Sequence, residues 1–423
     1  MKKHVFPFIK PALLALALAA PAGVSALEVV EGAESNTCAI CHGDVQGGFE
    51  ASVHAQFKVV CSDCHGGDPK KIEWEEAMSE KAGFKGRFQG TEVLELCDKC
   101  HGDYARMRQY GIPIDQLAQY RTSRHGEALL LKGDIRVAVC TSCHGVHDIM
   151  PVKDPRSTVY SLNIPGTCGK CHSDEKLMAS YGIGGEIVKH YSEGVHGKAL
   201  LQEKNTGMPN CATCHGNHGA APPGMAEVVN VCGNCHVNTR KYFQMSAHYE
   251  KGKMECINCH DNHRNLHPDE AMYTDVETGC RKCHDDGNSK ENKFIERVMV
   301  KNLSNATLAI DEAEADIEKA VGAGLYVEEE GSLLREAKAG MTKFGPVQHS
   351  MSEKEIDAVL RVSVSQAELV SDTVAEKFKG LYGRKVFSLA LAGFFLFFLF
   401  IVYLKYSILK NKFMKEKQGT AQE

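Results

Sequence analysis

The chain has 423 residues, a formal charge of −5 and few aromatic residues, with one tryptophan (Trp74) against 39 glycines, 18 cysteines and 20 histidines. Its length allows two or three modest domains, and its acidic balance argues against a nucleic-acid partner. The middle of the chain has too little apolar side-chain surface for a large core, so something other than side chains must fill the interior.

Residues 1–26 read as a secretory signal. Lys2, Lys3 and Lys10 form a basic region and Pro11 to Ala20 an apolar one. Val24, Ser25 and Ala26 supply the small residues of a cleavage site, placing the mature start near Leu27. The apolar stretch is short for a retained membrane helix.

Residues 27–289 are expected to form one domain that contains every cysteine. The cysteines fall into nine Cys-x-x-Cys-His units: Cys38, Cys41 and His42; Cys61, Cys64 and His65; Cys97, Cys100 and His101; Cys140, Cys143 and His144; Cys168, Cys171 and His172; Cys211, Cys214 and His215; Cys232, Cys235 and His236; Cys256, Cys259 and His260; Cys280, Cys283 and His284. This is the attachment spacing of c-type haem. Two thiols three residues apart reach the two vinyl groups on one porphyrin edge, and the adjacent histidine supplies an axial nitrogen to the iron. A disulfide framework has no reason to put histidine after every second cysteine. Zinc knuckles do not require it nine times over, and a thioredoxin-like pair would occur once. Nine covalent haems are therefore expected, with the macrocycles replacing the missing core.

Within this region the chain repeats with an offset of 71. Cys97-Asp-Lys-Cys100-His101 recurs as Cys168-Gly-Lys-Cys171-His172, and Tyr110-Gly111-Ile112 as Tyr181-Gly182-Ile183. His125-Gly126 recurs as His196-Gly197, and the motif at Cys140 with His147 recurs as the motif at Cys211 with His218. A fixed period marks an architectural unit, here a two-haem module. His54, His125, His196 and His248 each precede the second motif of a module, three of them after Ser52, Ser123 or Ser246. His147, His218 and His263 each lie three residues beyond a motif histidine. A neutral imidazole suits the sixth position of such an iron. A histidine only three residues past the proximal ligand cannot easily cross the porphyrin, so it should serve a neighbouring haem. These seven leave two irons to complete, with His190, His267 and His349 as candidates, and histidines are sufficient for every iron. His349, far beyond the last motif, is expected to ligate a haem near the stem and pin the two parts together.

From about Lys290 to residue 385 cysteine disappears and Glu, Ala and Lys rise. Phe294, Val298, Ala306, Ile310, Ala313, Ile317 and Val321 suggest one amphipathic helix, broken at Gly322 to Gly324. A second is expected around Leu333 to Phe344, stopped by Gly345-Pro346. Ser352 with Glu355 is a capping-box pattern opening a third, which continues into the next segment. Val386 to Leu404 carries no charge and is long enough to span a bilayer. Residues 405–423 follow with Lys405, Lys410, Lys412, Lys415 and Lys417, which makes this tail cytoplasmic and places the bulk of the chain across the inner membrane, in the periplasm.

With the nine motifs and the doubled module, the chain resembles the multihaem c-type cytochromes of anaerobically respiring bacteria, particularly those with cytochrome c3-like or doubled Cys-x-x-Cys-His repeats. The resemblance covers Cys38 to His284 and extends more weakly through the stem and anchor. It implies low-potential electron transfer between a quinol-linked membrane complex, such as a b-type cytochrome complex, and periplasmic cytochromes or outer-surface acceptors. Quinol dehydrogenases of the nitrite-reductase partner type carry their anchor at the N-terminus, whereas this one is C-terminal. The fold expected is mainly helical and irregular, loops and short helices around a haem core, followed by a helical stem and one transmembrane helix. An electron-transfer subunit is the leading reading and no residue is assigned a catalytic role. The alternative is a multihaem reductase of nitrite, hydroxylamine or a sulfur oxyanion, which needs an iron with an open position.

Overall fold

A computed structural model describes residues 36–221, 230–269, 271–277 and 279–419. The signal sequence and its cleavage site lie outside the described residues. Short helices, loops and one long apolar C-terminal helix make up the fold, and no strand occurs among the described residues. The chain separates into two compact units, one through Phe88 and one from Gln89.

In the first unit the motif helices Cys38–Cys41 and Cys61–His65 flank Gly43–Ala51 and Val53–Gln56. Gly66 follows His65 at φ +67, and a Cβ there would lie 2.0 Å from the Gly83 carbonyl oxygen. Only glycine fits both this backbone and this approach.

The second unit makes the duplication visible. Thr91–His101, Tyr104–Met107, Gln116–Thr122, Arg124–Lys132 and Cys140–His144 recur in the same order as Ile164–His172, Glu175–Ala179, Ile187–Glu193, Val195–Leu201 and Cys211–His215. Asp103 and Asp174 each accept from backbone N–H groups at the start of equivalent helices, the usual work of an aspartate N-cap. The buried side chains are few and also repeat: Met107 with Met178, and Leu129 with Leu200. The haem region has a thin apolar skeleton, as its composition requires.

The stem is where ordinary side-chain packing takes over. A helix begins at Lys290–Phe294, passes through a π-helical segment at Ile295–Asn302, and continues as α1 (Leu303–Gly322). It is followed by α2 (Glu328–Val347) and α3 (Glu353–Gly419). Two clusters hold these together. Ile310, Ala313, Leu334, Ala337, Ala367, Val370 and Val374 form one. The other joins Val298, Met299, Phe344, Val347, Ile356 and Leu360 to Tyr273 of the haem region, with Tyr242 and Cys280 packed against it. Fully burying a side chain such as Ile356 contributes about 1.5–3 kcal/mol, so this second cluster fastens the last motifs to the stem. Lys377 Nζ lies 2.7 Å from the buried Glu330 carboxylate, tying α3 to α2.

The second stem helix differs from expectation, starting at Glu328 and running through Gly345 and Pro346 to Val347. Proline removes a helical N–H, but here it sits in the last turn. The carbonyl of Gly345 is instead bonded to His349 Nδ1 at 2.9 Å, so the side chain satisfies an otherwise orphaned helix-end oxygen. α3 carries the apolar run; no part of its most apolar window is buried, which is compatible with a single-pass membrane anchor.

Candidate functional site

Each second-motif helix is presented by a repeated local device. Ser52, Ser123 and Ser246 are fully buried and cap short helices, accepting from the N–H groups of Ala55, Gly126 and Tyr249 at 3.2, 3.0 and 3.3 Å. Each serine therefore orients the helical turn that carries His54, His125 or His248. Gly194 takes the cap position before His196. The glycine after the histidine is equally constrained: a Cβ on Gly126 would sit 2.0 Å from Tyr120 O, and one on Gly197 1.9 Å from Tyr191 O. Those tyrosines, at the repeat offset, donate their hydroxyls to Ala138 O at 2.8 Å and Pro209 O at 2.7 Å, just ahead of the next motif. Burial pushes the Tyr120 hydroxyl up to about 12, and it stays a donor. The repeat offset of 71 was the signal by which these tyrosines could have been found.

After the proximal histidine the chain must turn sharply. Gly145 (φ 84, ψ −176) and Gly216 (φ 78, ψ 175) occupy a region open essentially to glycine alone. The turn carries His147 and His218 away from the motif they follow.

The histidines meet in pairs. His125 faces His172, His144 faces His218 and His196 faces His236, each with ring centroids 6.1 Å apart. His215 faces His263 at 6.0 Å, His248 faces His284 at 5.9 Å and His260 faces His349 at 6.1 Å. Every pair joins a motif histidine to one from outside the motifs. An imidazole nitrogen binds a first-row metal at about 2 Å, so two rings on opposite sides of one iron have centroids roughly 6 Å apart. The two series follow separate rules. A histidine preceding the fourth, sixth or eighth motif faces the proximal ligand of the next motif. A histidine following the sixth or eighth motif faces the proximal ligand two motifs earlier.

The electrostatics suit metal ligation. Burial holds His101, His125, His144, His172, His196, His218, His248, His260, His263 and His349 below the ordinary imidazole range. A neutral ring is the form that binds metal. His65 Nδ1 and His215 Nδ1 lie 2.9 and 3.2 Å from the carbonyls of Gly86 and Ala221, as His349 Nδ1 does from Gly345. With Nδ1–H donated to the backbone, Nε2 is the nitrogen left for iron. Among the described residues no group of three or more His, Cys, Asp or Glu could hold an ion by itself, so the donors are arranged as axial pairs and not as a chelating cage. The residues fit haem.

The thiols form a succession. No cysteine is in a disulfide. Cys97 and Cys140 are hydrogen-bond neighbours, as are Cys168 and Cys211, and Cys232 and Cys256. Burial raises the Cys143, Cys214 and Cys259 thiols, and the next motif adds to each shift: Cys168 for Cys143, Cys232 for Cys214 and Cys283 for Cys259. From Cys97 to Cys283, therefore, each motif lies near enough to the next to act on its thiols. In the first unit Cys38 is raised by burial and by the neighbouring Cys61.

His54 is half-buried behind the Ser52 cap, and His65 lies beside Phe84 and Phe88 with ring centroids 6.4 and 5.4 Å away. His147 is half-buried. His190 has its Nε2 3.6 Å from the Glu186 carboxylate, and His267 is exposed, its Nδ1 bonded to the Pro268 carbonyl.

Residues 53–173 match the family model of cytochrome c3. No curated protein and no solved structure matches the chain. The matched segment contains four complete motifs and one repeat of the histidine–motif order just described. Covalently bound c-type haem and multihaem electron transfer go with that likeness.

Proposed function

We propose that the chain carries nine covalent haems and relays electrons in anaerobic respiration, from a quinol-linked donor in the inner membrane, such as a b-type cytochrome complex, to periplasmic cytochromes or outer-surface acceptors. The observation that carries this reading is the unbroken succession of attachment points from Cys97 to Cys283. Bound haem iron supplies one-electron redox chemistry; the chain supplies spacing, burial and ligation, which set each potential. The motif cysteines hold the macrocycles and the motif histidines provide one axial nitrogen each. His125, His196 and His248 complete the fifth, seventh and ninth irons. His218 and His263 complete the fourth and sixth, and His349 the eighth. His54 and His147 serve among the first three motifs. The stem cluster around Tyr273 and Ile356 places the last motifs against the helices that lead to the apolar segment, so electrons enter there and leave along the succession toward Cys97. The signal sequence and the basic tail support a periplasmic haem region with an inner-membrane anchor.

The test is electron flow through the full-length protein in membrane vesicles. Quinol should reduce it only when a quinol-oxidising complex is present, and small periplasmic cytochromes should reoxidise it rapidly. Turnover of nitrite, hydroxylamine or tetrathionate by the purified protein alone, at enzyme-like rates, would replace the relay with a reductase.

A further inference from the structure

We infer that the haem on Cys38, Cys41 and His42 has no histidine as its sixth ligand and offers that position to small exogenous ligands such as carbon monoxide or nitric oxide. The inference rests on the reading of nine haems above, and it revises the expectation that histidines suffice for every iron.

Six motif histidines already stand opposite a partner ring about 6 Å away, the separation of two axial imidazoles on one iron. Those pairs use His125, His196, His218, His248, His263 and His349. Three proximal histidines are left, His42, His65 and His101, and the two repeat series supply two more rings, His54 and His147. One iron is therefore a ring short.

The two histidines outside the series are engaged elsewhere. His190 points Nε2, the atom that would bind iron, at the carboxylate of Glu186. His267 is exposed and lies against its own neighbour, Pro268. Neither faces a motif histidine in any of the ring pairs.

The surroundings of the three proximal histidines identify which iron is short. His65 has its Nδ1 fixed by Gly86 and lies between Phe84 and Phe88. His101 is half-buried. His42, in contrast, is exposed. Cys41 beside it is exposed, as is Ile40 at 70 %. Space is open around the next turn too: a Cβ built on Gly43 or Gly47 meets nothing within 4 Å. Between the signal cleavage site and Cys38 the sequence holds no histidine and no methionine. An iron with one protein ligand in a solvent-accessible setting is one that a diffusible donor can reach.

The experiment is a carbon monoxide titration of the dithionite-reduced, full-length protein, beside a haem assay on the same sample. One carbon monoxide per nine haems is expected, together with a high-spin ferric signal equal to one iron in nine. His190→Ala and His267→Ala should leave that stoichiometry unchanged; a rise by one in either would show that the replaced histidine is an iron ligand, and would overturn the inference. Cys38→Ala combined with Cys41→Ala should give eight haems and no carbon monoxide binding. If that variant does not mature, the wild-type titration and spin count decide. Nine haems with no carbon monoxide bound and no high-spin iron would overturn the inference while leaving the relay intact. Fewer than nine haems with free Cys38 would instead remove the haem reading on which it rests.

Discussion

Replacing His349 by alanine perturbs a ring pair that joins the haem region to the stem. Its ring faces His260 across 6.1 Å and its Nδ1 is bonded to Gly345 O at 2.9 Å. The variant removes the axial donor from one iron, the eighth, and leaves the other eight untouched. One ninth of the haem should therefore pass from its wild-type low-spin state to high-spin, and carbon monoxide uptake should rise by one per chain. The carbonyl of Gly345 also loses its partner at the end of α2, which costs about 1–3 kcal/mol and should appear as a lower Tm of the stem. His349→Met separates the two effects, because a thioether is an alternative axial donor that raises the potential of the iron it binds. It should restore the low-spin spectrum at a more positive midpoint while the stem stays weakened. The assay is low-temperature electron paramagnetic resonance with a potentiometric titration. A spectrum for His349→Ala identical to wild type would refute the assignment of His349 to the eighth iron.

The remaining expectations concern the local devices and the anchor. Gly126→Ala or Gly197→Ala drives a methyl to within 2.0 or 1.9 Å of a tyrosine carbonyl, so the capping turn must shift. A loss of about 1–3 kcal/mol in a chemical denaturation curve is expected, with the fifth or seventh iron respectively becoming partly high-spin. Lys377→Met leaves the Glu330 carboxylate buried without its cation, and since the lysine is partly exposed the cost should be about 2 kcal/mol of stem stability. Burial pushes the Glu330 carboxyl up, but the Lys377 hydrogen bond with the backbone and Thr373 holds it below its ordinary value. Its stabilisation is thus present above the unfolded carboxylate pKa of about 4.3 and is lost as pH falls through the lower folded value; Glu330→Gln should flatten that acid limb in pH-dependent melting. Truncation before Val386 should release a soluble, haem-loaded protein on fractionation, and retention in the membrane would show a different attachment.

What the sequence reveals and what it hides follow from the range of each interaction. Cys-x-x-Cys-His spacing is local chemistry, and the offset of 71 repeats local structure, so the short helices and the three stem helices could be anticipated. That the serine before His125 is a cap came from the structure. The choice of partner for each histidine was not legible, because a ring such as His218 meets His144 through the path of the whole intervening module and not through its neighbours. The same holds for the glycine after His125, whose reason is a carbonyl on the preceding helix. Gly345-Pro346 misled in a different way. Breakers act on an isolated helix, but here a side chain three residues further on supplies the bond that keeps the last turn. His349 was singled out by its isolation from the motifs, and the structure sets it opposite His260, where the proposed ligation now awaits its spectrum.

The most direct test of the whole account is the intact mass of the matured, full-length protein. Nine haem increments on a chain beginning near Leu27, with no thiol free to alkylate, is the result expected. Seven or fewer increments, with free thiols at the missing motifs, would contradict the claim that every Cys-x-x-Cys-His unit holds a haem and would break the succession along which electrons are proposed to move.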